Sequence, residues 1–192
     1  MNLKYFGDSY DILKKTFIGW LFDFGPWAAH PMFTKPVTAE EAEKFARFLG
    51  ARLLSDECLT PKCERATYFS QCAGVGNLFL DPDTGVRLTK KGGLRSVNYV
   101  FASELIEWSH ARPNSLTIVF DQSYSRGRQE GLMQEKLGYF VAHGVYGFAY
   151  SSHAPFLFLS SNKDLSDRAR KQIIEVSKLP EERLVRLNNI ED

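Results

Sequence analysis

The 192-residue chain lacks the short motifs that announce common cofactor chemistry. It has no Gly-x-Gly-x-x-Gly, no phosphate-binding P-loop and no Gly-x-Ser-x-Gly elbow. Dinucleotide, nucleoside-triphosphate and α/β-hydrolase functions therefore have no positive support. A dominant charge sign is lacking too: 24 Lys and Arg stand against 23 Asp and Glu, for a formal net charge of +1. Any nucleic-acid contact must come from a local patch rather than a global field. Cysteine is scarce, and Cys58, Cys63 and Cys72 lack the paired short spacing and the fourth ligand of a structural zinc site. Three thiols with no secretory signal point to idle or buried side chains in a reducing cytoplasm. No apolar run is long enough to span a membrane, because residues 16–22 are bracketed tightly by Lys14, Lys15 and Asp23. Their interior position does not fit a signal peptide either.

What the chain does have is alternation of strand and helix signals over a length that suits one domain, residues 1–192. Asp8 is placed to cap a first helix carrying an apolar stripe of Tyr10, Leu13, Phe17 and Leu21. Residues 27–33 read as a strand. Thr38 with Glu41 forms a capping-box signature for a helix that Gly50 stops. Residues 52–55 read as a short strand, and 56–76 as a loop with one helical turn. Further strands are expected at 77–80, 116–120, 145–150 and 156–159, the last two as a hairpin. Helices are expected at 98–111, at 129–143 and from Asp164 to Lys178, with Pro180 opening a short terminal one. The pattern predicts a Rossmann-like α/β three-layer sandwich, its sheet mostly parallel with a C-terminal antiparallel hairpin.

Two apolar runs end on acids: Leu78-Phe79-Leu80 on Asp81-Pro82-Asp83, and Leu116 to Phe120 on Asp121. As buried parallel strands they would bring Asp81, Asp83 and Asp121 to one exposed sheet edge, where open α/β folds bind ligands. Three carboxylates there could hold Mg²⁺ or Mn²⁺, orient a substrate amine or hydroxyl, or simply start turns. Lys90, Lys91 and Arg95 lie on the polar loop expected over residues 81–95 after the first strand, and Arg126 and Arg128 follow the second. They are expected either to meet the phosphates of a polyanion or to be solvated loop charges. His30 and His153 fall near strand ends, as general acid–base candidates or as structural histidines.

The segment Gly7-Asp8-Ser9-Tyr10-Asp11-Ile12-Leu13-Lys14-Lys15 resembles the N-terminal stretch of the large-subunit ribosomal-RNA N6-adenine methyltransferases, and Asp81-Pro82 resembles the start of their catalytic Asp-Pro-Pro-Tyr motif. The resemblance implies a methyltransferase-like scaffold, S-adenosylmethionine as donor, a nucleic-acid acceptor, and Lys14 beside the donor pocket near Asp81. Pro31-Met32-Phe33-Thr34 stands where that family has its glycine-rich donor loop, and Thr84 where it has the stacking aromatic. The chain is more similar still to a group of uncharacterised bacterial and phage proteins sharing a Phe-Leu-Asp-Pro-Asp-Thr/Asn-Gly block. Three function classes follow: methyl transfer to nucleic acid, metal-dependent phosphodiester cleavage, and a non-catalytic binding or defence-system subunit.

Overall fold

The computed structural model describes residues 3–89, 93–124 and 128–187. Asp8 caps helix α1 (Ser9–Trp20), its carboxylate accepting from the Tyr10 and Asp11 amides. Strand β1 (Trp27–His30) follows. Helix α2 (Ala39–Leu49) starts at the Thr38–Glu41 capping box and ends at Gly50, whose φ of 75° is left-handed. Then come β2 (Arg52–Leu53), a one-turn α3 (Arg65–Tyr68) and β3 (Asn77–Leu80). Next are β4 (Gly85–Arg87), β5 (Tyr99–Phe101), α4 (Ala102–Ala111) and β6 (Thr117–Phe120). The chain continues through α5 (Gln129–Ala142), β7 (Tyr146–Tyr150), β8 (Phe156–Ser160), α6 (Lys163–Ser177) and β9 (Leu184–Val185).

Seven strands form one mixed sheet in the order β2-β1-β3-β6-β8-β7-β9. The first four are parallel; β8 runs antiparallel to both β6 and β7, and β9 antiparallel to β7. This is an α/β architecture built on a mixed sheet whose first four strands are parallel. Alternation along the strands divides the core by face. Phe79, Ile118 and Phe158 pack with Phe17 of α1, Phe45 of α2 and Ala169 of α6. Leu78, Leu80, Val119 and Leu157 pack with Leu105 of α4 and Met133, Leu137 and Phe140 of α5. Phe17 is fully buried, its ring 5.0 to 5.1 Å from those of Tyr150, Phe156 and Phe158. Cutting it back to Ala would cost about 3–5 kcal/mol.

Four local expectations are corrected. The helix expected from Asn98 starts at Ala102, because Tyr99–Phe101 pairs with Gly85–Arg87 as a separate parallel two-stranded ribbon. The residues after Asp81 are thus not all loop. The last helix is capped by Asn162, whose side chain accepts from the Leu165 amide, rather than by Asp164. The segment after Pro180 makes only a single 3₁₀ turn, Glu181–Arg183, before closing the sheet as β9.

Candidate functional site

Parallel pairing of β1, β3 and β6 brings their C-terminal ends, His30, Asp81 and Asp121, to one edge of the sheet. The pairing of Leu80 with Val119 sets Asp81 opposite Phe120, so Asp121 lies one residue further along. A one-residue offset turns side chains to opposite faces. Asp81 accordingly meets α1, and Asp121 meets α5. Asp83, Asp81 and Asp121 do not converge, and among the described residues no three His, Cys, Asp or Glu side chains form a metal-binding group. The expected three-carboxylate Mg²⁺ or Mn²⁺ centre is therefore withdrawn.

On the α1 face, Lys14 Nζ lies 2.8 Å from Asp81 Oδ2 and 2.9 Å from Asp11 Oδ1. Asp11 Oδ2 also accepts from the Gly7 amide at 2.9 Å. All three side chains are buried, Asp81 and Asp11 to 2% exposure each and Lys14 to 5%. Asp81 is thus not at an exposed edge, as the sequence led one to expect, but in a closed ionic cluster. Burial pushes the Asp81 carboxyl up, against the pull of Lys14. Burial alone would lower Lys14, but Asp81 and Asp11 together outweigh it and hold the ammonium above the ordinary lysine range. The same ammonium sits 4.7 Å from the centre of the Phe120 ring.

This cluster is the floor of an open cleft of about 350 Å³. Tyr5, Tyr10, Pro82 and Phe120 contribute its apolar walls, while Asp8, Asp11, Asp81 and Asp83 oppose the single charge of Lys14. Tyr10 and Phe120 stand 5.7 Å apart, ring to ring, and the exposed His153 ring lies 5.8 Å from Tyr10 on its other contact. Asp81 Oδ2 is taken by Lys14; its other oxygen has no hydrogen-bond partner among the described residues. The cleft therefore offers an acceptor on an acidic, aromatic-walled floor, which suits a planar group carrying N–H donors and disfavours phosphate.

On the opposite face Asp121 is fully buried and held by three residues. Its Oδ2 lies 2.5 Å from Lys136 Nζ, and its Oδ1 accepts from the Val86 amide at 2.9 Å and the Ser123 hydroxyl at 2.6 Å. This ties the loop after β6 to β4 and α5. Gly85 must be glycine here: its φ is +133°, and a Cβ would sit 2.0 Å from Asp121 Oδ1. Asp121 is a structural anchor rather than part of the cleft.

The other expected residues scatter. His30 is 1% exposed, held between the Tyr68 and Phe69 rings at 4.9 and 5.0 Å, and does not reach the cleft. Arg95, in a 3₁₀ turn before β5, and Arg128, just before α5, are exposed and do not line it. Lys90, Lys91 and Arg126 lie outside the described residues. Asp11 was missed by sequence reading, although its i,i+3 spacing to Lys14 on one helix face is a signal. Ser123 and Lys136 were missed because nothing local connects them. Among the described residues no helix is long and apolar enough to cross a membrane. No protein-family model, curated protein or solved structure matches the chain.

Proposed function

We propose that the protein is a nucleic-acid-directed enzyme on a divergent methyltransferase-like scaffold, and that its acidic cleft receives the amino group of a nucleobase. The observation that carries this reading is the Asp81 carboxylate at the end of β3, ion-paired to Lys14 of α1 on the floor of an open cleft. One carboxylate oxygen is fixed by Lys14, and the other accepts an N–H of the bound amine. An upward-shifted carboxyl is suited to accepting the proton that such a nitrogen gives up on substitution. Tyr10 and Phe120, in contact with each other, form one aromatic wall against which the base lies. The antiparallel β8 between β6 and β7 supports the scaffold assignment.

S-adenosylmethionine, the donor implied by the sequence resemblance, does not fit the end of β1 as these side chains stand. Met32 and Phe33 have no exposed surface, His30 has 1%, and no glycine occurs between Gly25 and Gly50. The residues thus support the acceptor side of a transfer and not its donor side. The same packed loop favours a second reading, in which the cleft recognises its amine-bearing ligand without reacting with it.

The deciding experiment incubates the protein with methyl-labelled S-adenosylmethionine and short single- and double-stranded DNA and RNA, following label and binding together. Nucleic acid bound by wild type and lost in Asp81→Asn is the expected result, and label entering it, which requires the packed loop after β1 to open for the donor, separates transfer from recognition. Nucleic acid bound through Asp81 without label supports the recognition reading instead. Binding indifferent to Asp81→Asn removes the cleft as the site.

A further inference from the structure

A second cleft, of about 310 Å³, opens on the α5 face of the same two loops. Pro82 and Asp83 line the first cleft while Val86 and Arg87 line the second, and Gln122 faces the first while Ser123 faces the second. The walls of the second include Arg87, Thr89, Tyr99, Ser123 and Lys136, with Glu135 exposed at the rim. Its cations are in different states. Lys136 is committed, bonding Asp121 Oδ2 at 2.5 Å and Ser123 Oγ at 2.6 Å. Arg87 is not: its guanidinium carbon lies 3.9 Å from the centre of the Tyr99 ring, and the group makes no hydrogen bond or ion pair with any described residue.

We infer that Arg87 is a phosphoryl-binding residue, and that the second cleft takes a phosphate of the polymer whose base occupies the first. This placement rests on the nucleic-acid reading above; the anion site itself does not. A guanidinium stacked on an aromatic face has its plane fixed, so its fork of N–H donors is organised before the ligand arrives. The pairing of β4 with β5 supplies the stack, because it sets Gly85 beside Tyr99 and Arg87 beside Phe101 on the adjoining strand. The first cleft repels phosphate through its four carboxylates, whereas the second holds, among the described residues, one unpaired cation, with Thr89 also in its lining. A strand crossing the sheet edge over residues 82–87 would meet both.

The test measures anisotropy of labelled short single-stranded DNA and RNA across a salt series, and calorimetry with inorganic pyrophosphate. Arg87→Gln should weaken oligonucleotide binding about tenfold, the worth of one charge-assisted contact. It should also flatten the slope of log affinity against log salt by about 0.7. Glu135→Gln, a change at an exposed position, should tighten binding by removing a repulsion. Pyrophosphate should bind wild type and not Arg87→Gln. Oligonucleotide affinity and slope unchanged in Arg87→Gln would overturn the inference while leaving the Asp81 cleft intact. Pyrophosphate bound through Arg87 with no oligonucleotide bound would keep the anion site, assign it to a free phosphate ligand, and overturn the nucleic-acid reading. Neither probe binding folded wild type would overturn both.

Discussion

His30 should make the fold acid-sensitive, by an amount the structure sets. Its ring is enclosed by Tyr68 and Phe69, its Nδ1 accepts a long 3.4 Å bond from the Met32 amide, and its Nε2 is buried with no hydrogen-bond partner among the described residues. Burial lowers its pKa from 6.5 to about 4. Because the folded state holds this proton less well than the unfolded chain, its contribution is fully present above pH 6.5 and is lost as pH falls toward 4. That 2.5-unit gap corresponds to about 2 kcal/mol lost at pH 5 and about 3 kcal/mol at pH 4. Urea unfolding of wild type and His30→Phe, at half-unit steps from pH 8 to 4, isolates the effect. The variant lacks the titrating group, so the wild-type-minus-variant difference should be flat above pH 7 and fall steadily below it. A difference independent of pH across that range would show that His30 titrates normally and that its packing is not as described.

Three other outcomes follow from the same contacts. Lys14→Met leaves Asp11 and Asp81 buried without their shared cation and should cost about 3–5 kcal/mol at pH 7. Burial already raises the Asp81 carboxyl and Lys14 no longer opposes it, so this variant should recover stability relative to wild type as pH falls from 7 to 5, read by chemical denaturation. Gly85→Ala forces a Cβ against Asp121 at a left-handed φ and should lower stability by more than about 3 kcal/mol, visible as a large drop in Tm. Thr38→Ala removes one half of the α2 capping box and should cost about 1 kcal/mol, a change in denaturation midpoint without a change in m.

Local signals were readable where one residue type dictates one geometry. Asp8, the Thr38–Glu41 pair and Gly50 place the ends of α1 and α2, and the continuous apolar run Leu78-Phe79-Leu80 gives β3 its bounds. Reading failed where the deciding partner is distant in sequence. Tyr99–Phe101 is a strand only because Gly85–Arg87 lies beside it, and Leu184–Val185 only because β7 leaves an edge. The site shows the same division. The edge where Asp81 and Asp121 emerge follows from two similar strand ends, but their separation onto opposite faces depends on the β3–β6 register, which no single segment encodes. Lys14 came to Asp81 through a helix-to-sheet packing that the apolar stripe Tyr10–Leu13–Phe17 does not specify alone. His30, an acid–base candidate by position, became an aromatic-packed core residue because Tyr68 and Phe69 close over it.

The insertion of β8 between β6 and β7 has a consequence for how the chain is made. β6 pairs with β3 on one side and with β8 on the other, yet β8 is the later strand of a hairpin that must itself be synthesised first. During translation the apolar stretch Thr117–Phe120 therefore waits with one row of amides and carbonyls unsatisfied until Phe156–Ser160 has left the ribosome. An unpaired, flat, hydrophobic strand edge is a template for the wrong neighbour. A nascent chain stalled anywhere between these two strands is, on this topology, the form in which the protein is most exposed to aggregation and most in need of a chaperone.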